Sequence, residues 1–128
     1  MATVELRFSA LPEHVRTARL VAAAVARRAG VDEAVLDEVR LAVGEACTRA
    51  VGLHQSAGLT APVKVALIEE EKQFSIEVGD EAPTAAPGGA SGGETEEDDM
   101  GLAVISGLVD DVQVTPGLIR MTWPTTPA

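Results

Sequence analysis

From Thr3 to Phe8 the chain alternates, with Val4, Leu6 and Phe8 on one side and Glu5 and Arg7 on the other. That is the pattern of a half-buried strand. The period then lengthens. Pro12 suits the first turn of a helix, and Val15, Ala18, Ala22, Val25 and Ala29 recur at helical spacing up to Gly30, a natural C-cap. Asp32 is a good N-cap for a second helix, whose apolar stripe is Leu36, Val39, Val43, Ala46 and Ala50. Gly52 and Gly58 bracket a loop, which ends this helix near Leu53. Alternation returns at Val63, Val65 and Leu67, and again at Phe74, Ile76 and Val78. The acidic turn Glu69–Lys72 joins the two runs into a predicted hairpin. Residues 81–99, EAPTAAPGGASGGETEEDD, carry no period and read as a long mobile loop. Met100–Val109 reads as a short helix, and Val112–Thr115 with Leu118–Trp123 as a closing hairpin around Pro116-Gly117.

The order β-α-α-β-β-loop-α-β-β predicts an α/β (α+β) two-layer sandwich: one mixed, mostly antiparallel sheet with three helices on one face. At 128 residues the whole chain, 1–128, is one domain with room for a core.

Charge narrows the partners. Net charge is −10, and its distribution is uneven. Residues 1–60 hold seven acids and seven bases, whereas residues 61–128 hold thirteen acids and three bases. Such a surface repels phosphate backbones and membranes and suits a basic protein partner, although solubility alone also explains it. Only Phe8, Phe74 and Trp123 carry large rings, too few to stack bases, so no nucleic acid is expected. The single Cys47 cannot form an internal disulfide. No apolar run approaches membrane-spanning length and MATVELRF has no signal core, so the sequence predicts a cytoplasmic, soluble protein.

The chemistry sits in VRLAVGEACTRAVGLH, residues 39–54, where a lone carboxylate, Glu45, is followed one turn later by Arg49. Glu at i and Arg at i+4 is the favourable order for a helix ion pair, worth roughly 0.2–0.5 kcal/mol when exposed. On residues alone, Glu45 reads as a surface glutamate, and Arg49 either pairs with it or points into solvent. Asp80 ends a strand, a common place for aspartate.

Three segments carry a resemblance. LPEHVRTARLVAAAVARRAGV is similar to the first helix of the anti-sigma factor/serine-protein kinase family, which has the GHKL (Bergerat) ATP-binding fold. LDEVRLAVGEACTRAV resembles that family's N-box helix, typically E-A-C-x-N-A. MGLAVISGLVDDVQV resembles the helix and strand after its last glycine motif. The resemblance implies Mg·ATP binding, phosphorylation of a serine on a STAS-domain anti-sigma factor antagonist, and a sigma factor held inactive. It implies partner exchange through protein contacts, and dimers are common in the family.

Residue by residue, the resemblance makes Glu45 the general base that activates the incoming serine. Arg49 stands where the family has the asparagine that offers Mg²⁺ an oxygen. Arginine has no acceptor atom and a fixed positive charge. Asp80 matches the aspartate that accepts from the adenine amino group. The D-x-G-x-G motif reads Asp80-Glu81-Ala82-Pro83-Thr84, without either glycine. In place of G-x-G-L stands Asp99-Met100-Gly101-Leu102, so Gly101 and Leu102 remain, preceded by five acids within six residues. His54 lies one position beyond the family's usual histidine, and no catalytic role is assigned to it.

The departures fall on the chemistry and spare the framework. The expectation is therefore an anti-sigma factor acting by partner switching between a sigma factor and a STAS antagonist. Its nucleotide site (Glu45, Arg49, Asp80, Gly101, Leu102) is degenerate, with ATP or ADP bound weakly or not at all and no metal. A homodimer is left open. The alternative is an active serine-protein kinase using Arg49 on the γ-phosphate. A third reading is a structural domain that binds neither partner.

Overall fold

The computed structural model describes residues 2–81, 96–109 and 111–125, with the backbone alone for 96–100. The elements are β1 (Ala2–Phe8), α1 (Glu13–Ala29), a 3-10 turn (Glu33–Val35), α2 (Leu36–Ser56), β2 (Val63–Glu69), β3 (Gln73–Gly79), α3 (Glu96–Leu108), β4 (Asp111–Thr115) and β5 (Leu118–Pro124). This is the order that periodicity predicts.

The five strands form one sheet in the order β1-β2-β3-β5-β4. Each of its four pairings is antiparallel, so the expectation of a mixed sheet is corrected. The reason is topological. The chain leaves β3 through α3 and returns as β4, which runs parallel to β3. The hairpin then folds β5 back between them, and no parallel ladder forms.

Register aligns one apolar face across the sheet. Leu6 opposes Val65, Val65 opposes Val78, Val78 opposes Ile119 and Ile119 opposes Val114. One step along, Val4, Leu67, Ile76, Met121 and Val112 form the next row. Leu67, Ile76 and Met121 have no exposed surface at all. Against this face lie Ala18, Ala22 and Ala26 of α1, Val39, Val43, Ala46 and Ala50 of α2, and Ile105 of α3. Small residues at the α1–α2 seam allow close approach, because side-chain size at the contact sets helix separation. The α2 stripe is buried as its spacing predicts. On α1 the stripe is rotated: Ala23 and Ala26 are buried, whereas Val25 and Ala29 are only partly so.

Three helix boundaries differ from expectation. Asp32 caps the 3-10 turn, its Oδ1 accepting from Ala34 N–H at 3.0 Å, and α2 proper begins at Leu36. The helix also runs through Gly52 to Ser56, three residues past the expected end. It closes where Gly58 N–H donates to Gln55 O and Leu59 N–H to His54 O. Helix α3 begins at Glu96, so the acids 96–99 form a first helical turn rather than the end of a loop. Acidic residues suit that end, where the helix dipole is positive. Residues 82–95 lie outside the described residues. At the closing hairpin Gly117 has φ +79°, the conformation a Pro-Gly turn asks of its glycine.

Candidate functional site

Helix α2 presents the site. It lies between α1, α3 and the sheet, so its side chains reach three neighbours. Glu45 is half-buried on the side of α3, where a Cβ placed on Gly101 would meet its Oε2 at 3.4 Å. Gly101 thus leaves room for this carboxylate close to the start of α3. Leu102, beside it, packs partly buried on the core.

Arg49, one turn further, does not join Glu45. Its Nη1 stands 3.9 Å from Asp80 Oδ2, and only 10% of the Arg49 side chain and 7% of the Asp80 side chain are exposed. The expected Glu45–Arg49 helix pair is therefore replaced by a buried pair that joins α2 to the end of β3. The cause is direction: Arg49 leans inward to the strand end, where a desolvated carboxylate attracts it far more than an exposed one would.

The fold fixes Asp80 from both sides. Its own N–H donates to Gly117 O at 3.0 Å. The next N–H, of Glu81, donates to His54 Nε2 at 2.9 Å. His54 is fully buried, and its Nδ1 lies 2.9 Å from Ala61 O. Since Nε2 accepts, Nδ1 carries the proton, and the ring is the neutral Nδ1–H tautomer. His54 therefore ties the end of α2 to the chain entering β2 and to the chain leaving β3. The sequence gives it no role, because its partners are backbone groups that no motif records. Among the described residues, Glu45 with Gly101 and Arg49 with Asp80 are brought together. Ala82 and Thr84 lie outside the described residues, and of Asp99 only the backbone is described.

A second feature was not anticipated. A groove of about 530 Å³ runs between α1 and α2, lined by Arg16, Arg19, Leu41, Gly44, Glu45 and Thr48 among others. Gly44 explains part of its shape: a Cβ there would meet Arg19 Cδ at 2.8 Å, so the arginine stem crosses α2 where no side chain stands. Arg16 and Arg19 pair with no carboxylate among the described residues, whereas Arg7, Arg27, Arg40, Arg49 and Arg120 each do. Leu41 adds an apolar surface, 53% exposed. The spacing of Arg16 and Arg19, on one helix face, was legible, but nothing in the sequence placed Glu45 beside them.

Cys47 lies in the core on the same helix, and burial pushes its thiol up to about 12. It is inert, not a nucleophile. No group of side chains able to hold a metal occurs among the described residues.

A family model described as the histidine kinase-like ATPase domain matches residues 8–123. The chain belongs to this family. The match runs from the last residue of β1 into β5. Within it, the resemblance to the anti-sigma factor/serine-protein kinase family holds. This histidine kinase-like domain is 28% identical over 118 residues to the anti-sigma F factor of Clostridium acetobutylicum, covering 87% of this chain and 82% of that one. It also superposes on the structure of the RsbU and RsbW domains of Rv1364c from Mycobacterium tuberculosis, with a TM-score of 0.71 at 16% identity. The whole of this chain matches there, over 33% of the longer one, which establishes the shared fold. No helix among the described residues is long and apolar enough to cross a membrane.

Proposed function

We propose that this chain is an anti-sigma factor that works by partner switching: it holds a sigma factor and yields it to a STAS-domain antagonist. The observation that carries the reading is the α1–α2 groove. Two arginines without carboxylate partners among the described residues flank an exposed leucine, on a chain of net charge −10. Such a groove suits a protein segment with carboxylates for the guanidinium groups and an apolar side chain for Leu41. Two partners competing for one such surface exchange by mass action. The Clostridium relative, an anti-sigma F factor, supports the assignment.

The second half of the proposal is a closed nucleotide site. Mg²⁺ takes oxygen ligands in near-octahedral geometry. Arg49 offers N–H donors and no oxygen, and its charge already faces Asp80. These groups do not suit a magnesium nucleotide. One observation favours the alternative, an active serine-protein kinase: Glu45 lines the same groove, where a docked hydroxyl would meet it. If that reading holds, Glu45→Ala abolishes phosphate transfer to the antagonist.

The test is binding of sigma factors from the source organism, measured by calorimetry. Charge reversal at Arg19 (R19E) is expected to weaken the complex at least tenfold, and salt should weaken the parent complex. Equal affinity for parent and variant would sink the docking surface.

A further inference from the structure

We propose that β1 is a pairing edge for a second copy of this chain, so that two sheets join through antiparallel β1 strands centred on Leu6.

The backbone decides which groups the edge offers. Among the described residues β1 pairs with β2 alone and closes one side of the sheet. At the β2–β3 turn Glu70 N–H donates to Gln73 O at 2.9 Å, which makes these two a hydrogen-bonded pair. Bonded and non-bonded pairs alternate along antiparallel strands. Lys64, Ala66 and Ile68 therefore bond toward β3, and Val63, Val65 and Leu67 bond toward β1. Their partners there are Phe8, Leu6 and Val4. The N–H and C=O groups of Thr3, Glu5 and Arg7 are left pointing outward.

A second β1 meets these groups well in one register. With Leu6 opposite its own copy, Val4 faces Phe8 and Glu5 faces Arg7. The outward-pointing Glu5 and Arg7 then exchange both backbone bonds, and their side chains bring opposite charges together. A slip of two residues one way sets Glu5 against Glu5, and the other way Arg7 against Arg7. A slip of one residue breaks the bonding pattern and swaps the faces. In the single chain Arg7 Nε lies 2.7 Å from Glu5 Oε1, with both side chains more than half exposed, so these charges are free to exchange partners. The apolar row supplies the rest. Val4, Leu6 and Phe8 are only partly buried, because α1 lies chiefly over β2 and β3. Joining two edges about a twofold axis perpendicular to the sheet makes one continuous row and keeps the helices of both copies on the same side. The opposite edge is less suited. Strand β4 has five residues against seven for β1, and it lies in the half of the chain that holds thirteen acids and three bases. Strand β1 lies in the half where seven acids balance seven bases, so two copies meet there without net repulsion.

Charge exchange tests this, by sedimentation equilibrium of the full chain from micromolar to near-millimolar concentration. The parent should form a concentration-dependent dimer. E5R and R7E should each weaken pairing at least tenfold, since each opposes like charges. An equimolar mixture of the two should dimerise, because each chain then meets the other with opposite charges at both positions. The double variant E5R/R7E should recover the dimer alone. Both positions are exposed, so melts followed by the fluorescence of Trp123, the only tryptophan, should show every variant folded. A parent that stays monomeric throughout overturns the proposal. So does a dimer that survives either single change undiminished, or a mixture that pairs no better than its components. If a single variant does not fold, the double variant decides: a dimer as tight as the parent's supports the register, and a monomer overturns it.

Discussion

Arg49 and Asp80 are the residues on which stability and function meet. Removing one member of a buried ion pair leaves the other charged and desolvated, typically at a cost of 3–5 kcal/mol. Arg49→Met should therefore destabilise the protein by about 3 kcal/mol, as read from urea unfolding. Arg49→Met/Asp80→Leu should cost less than the single change, since both charges leave together. A double variant worse than the single one would mean that the pair is not the coupling element. Cys47 gives a pH prediction. Its ordinary value of 9.0 is raised to about 12 in the fold, because burial disfavours the thiolate. Below pH 9 the thiol is neutral in both states and its contribution is whole. As pH rises toward 12, the unfolded chain ionises first and that contribution is lost. A thiol reagent should accordingly label Cys47 only as fast as the protein opens. Glu45 and Arg49 were singled out through the N-box resemblance, and Asp80 through the D-x-G-x-G resemblance. The partner of Arg49 was not, because helix spacing describes neighbours on a surface and Arg49 points inward.

At the level of elements, two glycines should behave in opposite ways. A Cβ at Gly107 on α3 meets nothing within 4 Å, so Gly107→Ala should stabilise by roughly 0.5–1 kcal/mol through backbone entropy alone. Gly44→Ala gains the same propensity, but its Cβ would fall 2.8 Å from Arg19 Cδ, so the arginine stem must shift. It should yield no net stabilisation and should weaken partner binding, which thermal melts and calorimetry read separately. The elements themselves were largely written in the sequence. Alternation in β1, β2 and β3 and the α2 stripe gave their type and facing, because burial on one side imposes those periods. The end of α2 was misjudged, since Gly52 breaks a helix only if nothing else holds it. Here the buried His54, two residues on, ties the helix end to the neighbouring loops. The start of α3 was hidden by its acids, which read equally as a solvated loop or as a first helical turn.

Across the whole molecule, the sheet buries one face under α1, α2 and α3, and the groove lies on the outer side of two of those helices. The frame of the histidine kinase-like ATPase domain is thus kept, with Arg49 of α2 facing Asp80 at the end of β3. Family and fold were legible because three segments match in order. The groove was not, because it joins residues from two helices that are distant in sequence.

The most direct test of this account is thermal stability with and without millimolar Mg·ATP, and with ADP, followed by Trp123 fluorescence. A ligand at a hundred times its dissociation constant would stabilise the fold by about 2.7 kcal/mol, a readily visible shift. The account predicts the same Tm in all three conditions. A magnesium-dependent rise with ATP would contradict it, and would place the chain among working kinases.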